Sequence, residues 1–136
     1  MQDQLAYLIA SVNRRLEEEL ADQLRAEGIP IEQMRILTAL ADGAGLPMGD
    51  LATIVLVEGP TLTKIVDRMV TNSLVYRSPD AKDRRRILIF MTPRGKATFE
   101  RVRGIAADQQ SRLLERLQGQ QYEQLKGLLE SLGARH

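Results

Sequence analysis

The 136-residue sequence contains no cysteine and no tryptophan, and its single histidine is the final residue, His136. The lack of cysteine excludes disulfides, thiolate nucleophiles, cysteine redox sensors and cysteine-ligated zinc. With no usable histidine we expect no metal and no cofactor. Catalysis would need paired carboxylates or a lysine in a pocket, whereas the acids stand at positions predicted to be exposed on helices. We therefore expect that the protein is not an enzyme.

Long apolar runs are also absent. The first twenty residues carry charges within and after the apolar positions, unlike a signal peptide or a membrane span. The sequence therefore predicts a cytoplasmic protein with no membrane partner, folded as one domain or as two small lobes that share a core.

The charge of the chain is segregated. Residues 60–96 carry nine lysines and arginines against three acids, a net charge of +6. The remaining residues carry ten against fifteen, a net charge of −5. A basic middle between acidic ends predicts a face that binds a polyanion, and chance clustering on a solvated surface is the alternative.

Apolar spacing predicts a mostly α-helical protein with one two-stranded β-hairpin. The strands are expected at residues 74–77 and 86–91, and the glycine-rich residues 43–47 are expected to form a turn. No strand precedes these glycines and no Gly-Lys-Ser follows them, which excludes a phosphate-binding loop. Helices are expected at residues 3–27, 31–42, 48–55, 60–72 and, after Pro93, in one long and one last short segment.

The helix predicted at residues 60–72 has an apolar and a polar side. Leu62, Val66 and Met69 lie on the apolar side with Ile65, and Thr61, Lys64 and Arg68 lie on the other. Together with the short helix before it, this pattern is typical of a helix-turn-helix, whose second helix enters the major groove of DNA.

The densest positive charge lies in the predicted hairpin loop, in the segment DAKDRRRILIFMTPRG at residues 80–95. An arginine at such a tip suits the negative potential of the minor groove. Asp83, two residues before Arg85, can accept hydrogen bonds from its guanidinium and orient it. We predict that Arg85 inserts and that Lys82 and Arg84 lie near phosphates, the alternative being a solvated turn.

The same residues carry a family resemblance. The pattern Asp83, Arg85, an apolar strand, Thr92 and Gly95, together with Leu51-Ala52 and the run Thr63 to Arg68, resembles the winged helix-turn-helix transcriptional regulators of the MarR (multiple antibiotic resistance regulator) family. The segment VEGPTLTK resembles the SlyA-like branch. The resemblance covers about residues 30–100 and implies that Pro60, Thr61, Thr63, Lys64 and Arg68 contact bases or phosphates.

The sequence departs from the family pattern at several positions. Ser73 stands where the family usually has glycine, and we expect Asn72 to take the left-handed conformation instead. Ile54, Leu56 and Val70 are apolar at positions that are commonly polar or glycine. For Arg68, a surface ion pair with Asp67 or Asp80 is the alternative to a phosphate contact.

The terminal helices have wide apolar faces. The family resemblance implies a homodimer formed by both termini, and an intrachain bundle is the alternative. It also implies a small aromatic or phenolic anion as effector, for which Arg14 and Arg35 are the candidate ligands, although such arginines also form ordinary ion pairs. The expected organisation is a dimerisation helix at residues 1–29, a DNA-binding lobe at residues 30–96 and dimerisation helices at residues 97–136.

The sequence thus predicts a dimeric, sequence-specific regulator of transcription, a repressor released by a ligand, that binds an inverted-repeat operator in the nucleoid. The alternative is a non-specific architectural DNA-binding protein that uses the same basic face.

Overall fold

A computed structural model describes residues 3–134. The outer ends of the predicted terminal segments, His136 included, lie outside the described residues. The chain forms six helices and three strands over this range. In chain order they are α1 (Leu5–Arg25), α2 (Ile31–Ala39), β1 (Leu46–Pro47), α3 (Met48–Val55), α4 (Gly59–Thr71), β2 (Val75–Pro79), β3 (Ile87–Met91), α5 (Pro93–Arg116) and α6 (Gln121–Gly133). The mostly helical fold with a winged hairpin is confirmed.

The sheet contains one strand more than the sequence predicted. β3 lies in the centre, antiparallel to β2 on one side and to β1 on the other, where Leu46 lies opposite Ile89. The glycine-rich segment does turn, with Gly43 and Gly45 at positive φ, but it then pairs for two residues. A Cβ at Gly45 would lie 2.5 Å from the Phe90 ring, so glycine permits this close approach.

The prediction that Asn72 takes the left-handed conformation is wrong, because Asn72 has φ −85° and Ser73 has φ 61°. The amides of Ser73 and Leu74 donate to the carbonyls of Val70 and Met69, which completes a Schellman motif with serine at the usual glycine position. Leu56, after α3, also has a positive φ of 60°.

Two apolar clusters organise the chain, and α2 contributes to both. The first joins α2, α3, α4 and the sheet, with fully buried residues such as Leu37, Leu51, Leu62 and Ile89. The second joins the C-terminal half of α1 to α2 and α5 through Leu24, Met34 and Val102. The first cluster fixes the α3–α4 pair against the hairpin, and the second connects this lobe to the long helices.

The start of α5 is attached to the corner between α4 and β2. Thr92 caps the helix by accepting a hydrogen bond from the Gly95 amide, and its hydroxyl donates to the Ser73 carbonyl at 2.6 Å. A Cβ at Gly95 would lie only 2.1 Å from the Leu74 carbonyl oxygen. The close approach of α5 to this corner therefore requires glycine.

The outer parts of the terminal helices remain uncovered within one chain. α6 contains no buried residue, and the first three turns of α1 are exposed although they carry Leu5, Leu8, Ile9 and Val12. Leu20 and Leu24, further along the same helix, are instead buried in the chain's own core. Among residues 3–134, no helix combines the length and the apolar character needed to cross a membrane.

Candidate nucleic-acid interface

The exposed side of α4 carries the side chains that the sequence predicted for it. Leu62, Val66 and Met69 are fully buried and orient the helix. The predicted contact residues are all exposed: Pro60, Thr61, Thr63, Lys64 and Arg68. Burial of one stripe thus leaves a polar and basic stripe available to a groove.

Within this stripe the residues differ in how free their polar groups are. The Thr63 hydroxyl donates to the Gly59 carbonyl at 3.0 Å, so its proton is not available for a hydrogen bond to DNA. Thr61, Lys64 and Arg68 line a shallow groove together with the N-terminal turn of α2. Within residues 3–134, Lys64 and Arg68 form no ion pair that a contact with bases or phosphates would have to break.

The alternative ion pairs of Arg68 are absent within residues 3–134. Asp67 is instead bound by Arg77 of β2, and Asp80 lies 3.9 Å from Arg86. Arg68 therefore keeps its charge available, as a phosphate contact requires.

The loop of the hairpin, residues 80–86, is held in a defined turn. The Asp80 amide donates to the Arg86 carbonyl at 2.8 Å, and the Arg86 amide donates to the Asp83 carbonyl at 2.9 Å. The Asp80 carboxylate accepts a hydrogen bond from the Lys82 amide. Lys82, Arg84 and Arg85 are all exposed on this turn.

Asp83 contacts Arg85 in the way the sequence predicted. One carboxylate oxygen of Asp83 accepts hydrogen bonds from the Arg85 backbone amide, at 3.2 Å, and from its Nε, at 3.3 Å. The Arg85 side chain nevertheless remains 93% exposed, so its guanidinium projects from the tip. The insertion of this guanidinium into a minor groove stays a prediction.

Two ion pairs that the sequence did not assign fix the hairpin relative to the helices. Arg77 of β2 pairs with Asp67 of α4, and Arg86 lies 3.9 Å from Asp50 at the start of α3 as well as from Asp80. The partners are 10 and 36 residues apart, so no local spacing could have identified them. Their side chains are partly exposed, and their main effect is on the position of the hairpin rather than on stability.

The candidate effector ligands Arg14 and Arg35 are both paired with acids. Arg14 binds Glu18 one turn further along α1 at 3.0 Å and is 83% exposed. Arg35 of α2 lies 2.9 Å from Glu17 of α1. The structure thus places these two arginines apart, each in the ordinary ion pair that was the alternative to ligand binding.

A different basic groove lies between α1 and α5. Arg15, Arg112 and Arg116 line it, and the Arg112 guanidinium donates to the Glu19 carboxylate. This hydrogen bond lowers the pKa of Glu19 below its usual value. At the base of the groove, the amide of the buried Gln109 donates to the Leu16 carbonyl at 3.0 Å. No sequence pattern indicates this groove, because its two halves, residues 15–19 and residues 109–116, are at least 90 positions apart.

Comparison with known proteins agrees with this geometry. Residues 27–86, which contain α3, α4 and the hairpin loop, match the model of the MarR family. The transcriptional activatory protein BadR of Rhodopseudomonas palustris is 35% identical over 57% of this chain and 46% of its own length. The HTH-type transcriptional repressor Rv2887 of Mycobacterium tuberculosis is 25% identical over 96% of this chain and 94% of its own.

Solved structures extend the similarity to the terminal helices. The MarR family transcriptional regulator SPO1453 from Silicibacter pomeroyi is 30% identical, with a TM-score of 0.83 over 96% of this chain and 93% of that one. MepR of S. aureus, solved in complex with DNA, is 26% identical, with a TM-score of 0.86 over 95% and 96% of the two chains. The chain therefore belongs to the MarR family of winged helix transcriptional regulators.

Proposed function

We propose that the protein is a homodimeric, sequence-specific regulator that places α4 in the major groove and the hairpin loop in the adjacent minor groove. The observation that carries this proposal is the pairing of two exposed basic elements on one buried scaffold. α4 presents Thr61, Lys64 and Arg68, and the hairpin presents Lys82, Arg84 and Arg85. A DNA-binding helix and a projecting arginine loop match the shapes of the two grooves.

The dimer is supported by apolar surface that one chain leaves uncovered. Leu5, Leu8, Ile9 and Val12 of α1 are 42–57% exposed, and Leu125, Leu128, Leu129 and Leu132 of α6 are 44–62% exposed. Residues of both sets line one groove between the two helices. A short helix that buries no residue is only marginally stable in water. We therefore expect a second copy of the chain to cover its apolar face.

A two-fold symmetric dimer implies a DNA target with matching two-fold symmetry. Two recognition helices related by a two-fold axis bind two half-sites about one helical turn apart, roughly 34 Å. We therefore propose an inverted-repeat operator. By analogy with the repressor Rv2887, we favour repression, and the activator name of BadR makes activation the alternative to test.

The division into terminal dimerisation segments and a central lobe at residues 30–96, the SlyA-like branch and a cytoplasmic, nucleoid location remain part of this proposal. The first apolar cluster supports the division, since it packs α3 and α4 against β2 and β3.

Selection of bound duplexes from a random DNA pool tests the proposal. We expect an enriched inverted repeat and an affinity for it at least about 10³-fold above that for random duplex. Binding without an enriched motif would instead support an architectural protein that uses the basic face as a phosphate clamp. Lack of binding at low salt would contradict both.

We also propose that an aromatic or phenolic carboxylate acts as effector in the groove between α1 and α5 rather than at Arg14 and Arg35. Three arginines and one acid give this groove a net positive charge, and only Arg112 is held in an ion pair with Glu19 within residues 3–134. Benzoate is a suitable probe. It should raise the melting temperature of the protein and weaken operator binding, and both effects should be lost in the Arg15→Ala, Arg116→Ala double variant.

A further inference from the structure

The acids of the helix-turn-helix and hairpin differ in whether an arginine lies beside them. Five acids lie between residues 46 and 92, and four of them have an arginine within 4 Å. These four are Asp50, Asp67, Asp80 and Asp83. Glu58 is the exception, since within residues 3–134 its carboxylate has no such partner. Three arginines, of which Arg86 is shared by Asp50 and Asp80, thus lie beside every acid of this surface except Glu58.

Glu58 occupies a special place in the fold. It is the N-cap residue of α4, it is exposed, and its side chain makes no capping hydrogen bond to the helix within the described chain. Because Glu58 is exposed, its carboxylate is open to solvent at the N-terminal end of α4.

This end of the helix is the part that approaches base edges. In a helix-turn-helix the N-terminal residues of the second helix contact the bases. An unpaired carboxylate brought close to two phosphate backbones weakens binding to every sequence. In the major groove a duplex presents only one kind of hydrogen-bond donor to this carboxylate. These donors are the exocyclic amino groups, N4 of cytosine and N6 of adenine.

We propose that Glu58 is a specificity-determining residue that accepts a hydrogen bond from a cytosine amino group in each half-site of the operator. This inference rests on the proposed function, because it requires α4 to lie in the major groove. Glutamate matches cytosine because its oxygens only accept hydrogen bonds, and in that groove the cytosine base itself presents a donor and no acceptor, whereas adenine presents the N7 acceptor beside its N6 donor. Opposite guanine or thymine the carboxylate meets no donor, and opposite adenine it meets the N7 acceptor beside the N6 donor, so these complexes are disfavoured.

A purely local role for Glu58 makes a different prediction. A negative charge at a helix N-terminus stabilises the helix through its dipole, whatever the DNA sequence. Replacement by glutamine would then reduce stability slightly and strengthen binding to all duplexes alike, without changing the preferred bases.

The test is selection from a random duplex pool with the full-length wild type, Glu58→Gln and Glu58→Ala, followed by affinity measurements on operators that differ at one base pair. Glu115→Gln, on α5, is a control with the same change of charge at another exposed glutamate. Circular dichroism and melting curves show that each variant is folded.

We expect the wild type to select a C·G pair at one position of each half-site. Glu58→Ala should lose the preference at that position, which is worth on the order of tenfold in affinity. Glu58→Gln should shift it towards A·T, because glutamine pairs with adenine N6 and N7. Both variants should bind random duplex more tightly than the wild type, and Glu115→Gln should keep the wild-type motif.

An unchanged motif in both Glu58 variants, with uniformly tighter binding, would overturn the inference while leaving the regulator intact. A wild type that selects no motif would overturn the proposed function itself, and the base-reading role of Glu58 with it.

Discussion

At the scale of single residues, we expect the hairpin loop to make two kinds of DNA contact. Arg85 is oriented by Asp83 and projects from the tip, whereas Lys82 lies beside it without a side-chain partner in the described chain. Arg85→Ala should weaken operator binding by about 1–3 kcal/mol with little change in melting temperature. Lys82→Ala should weaken binding to all sequences alike and reduce the slope of log K against log salt by about one unit.

Titrations of both variants against operator and random duplex at several salt concentrations measure this difference. Equal losses on the two duplexes for Arg85→Ala would show that this arginine contacts only phosphates. Unfolding of the variant would show that it has a structural role.

Ser73 is a residue in an unfavourable backbone conformation. Its φ of 61° costs a non-glycine residue about 1 kcal/mol, and the Schellman motif around it needs only backbone groups. Ser73→Gly should therefore raise the free energy of unfolding by about 1 kcal/mol, as measured by urea denaturation. Asn72→Gly is the matched control, because Asn72 has an ordinary φ of −85° and gains nothing from glycine.

At the scale of elements, the junction between α5 and the corner after α4 depends on one glycine. Gly95→Ala would place a Cβ 2.1 Å from the Leu74 carbonyl oxygen, and the resulting displacement should cost about 2 kcal/mol. Gly104, in the same helix, has open space around its Cα. Gly104→Ala should thus stabilise the protein by up to about 1 kcal/mol through helix propensity. Similar stability changes in the two variants would show that the junction adapts easily.

The packing of α1 on α5 includes a pH-dependent contact. The hydrogen bond from Arg112 lowers the pKa of Glu19, so ionised Glu19 stabilises the folded state at neutral pH. This contribution is present above the pKa that Glu19 has in the unfolded chain and is lost as the pH falls through the lower pKa of the folded state. Glu19→Gln should reduce the melting temperature at pH 7 and make it less dependent on pH below about 5.

The control for this pH effect is Glu115→Gln, which removes the same charge from an exposed position of α5. Equal pH profiles for the two variants would contradict the role of the Glu19–Arg112 pair.

The elements themselves were largely predictable from the sequence, and their mutual contacts were not. Apolar periodicity located all six helices, because each carries an apolar stripe, which α6 leaves exposed within one chain. β1 was not predicted, because a two-residue strand has no periodicity and forms only when β3 is beside it. The left-handed residue was placed one position early, at Asn72, because composition alone favours asparagine over Ser73 there. Arg68 and Arg77 look alike in sequence, and only the fold shows that Asp67 binds the latter.

At the scale of the whole molecule, DNA binding is predicted to depend on dimerisation. Leu128 of α6 is 62% exposed in one chain and belongs to the apolar face assigned to the partner. Leu128→Glu should yield monomers in sedimentation experiments at micromolar concentration and lose most operator affinity, because one half-site alone provides half of the contacts. Lys126→Glu changes the charge of the same helix at a polar position, and it should remain dimeric.

A wild type that stays monomeric at micromolar concentration would contradict the dimer. The exposed leucines of α6 would then be expected to bind a different protein partner. The operator would lack the two-fold symmetry proposed for it.

α5 acts as a lever. Its 24 residues span about 36 Å, and Thr92 and Gly95 attach its first turn rigidly to the corner that ends α4. A tilt of about 5° at the α6 end would move the α4 end by about 3 Å, close to the rise of one base pair, roughly 3.4 Å. A tilt of this size at the α6 end would thus shift the recognition helix by about one base-pair step.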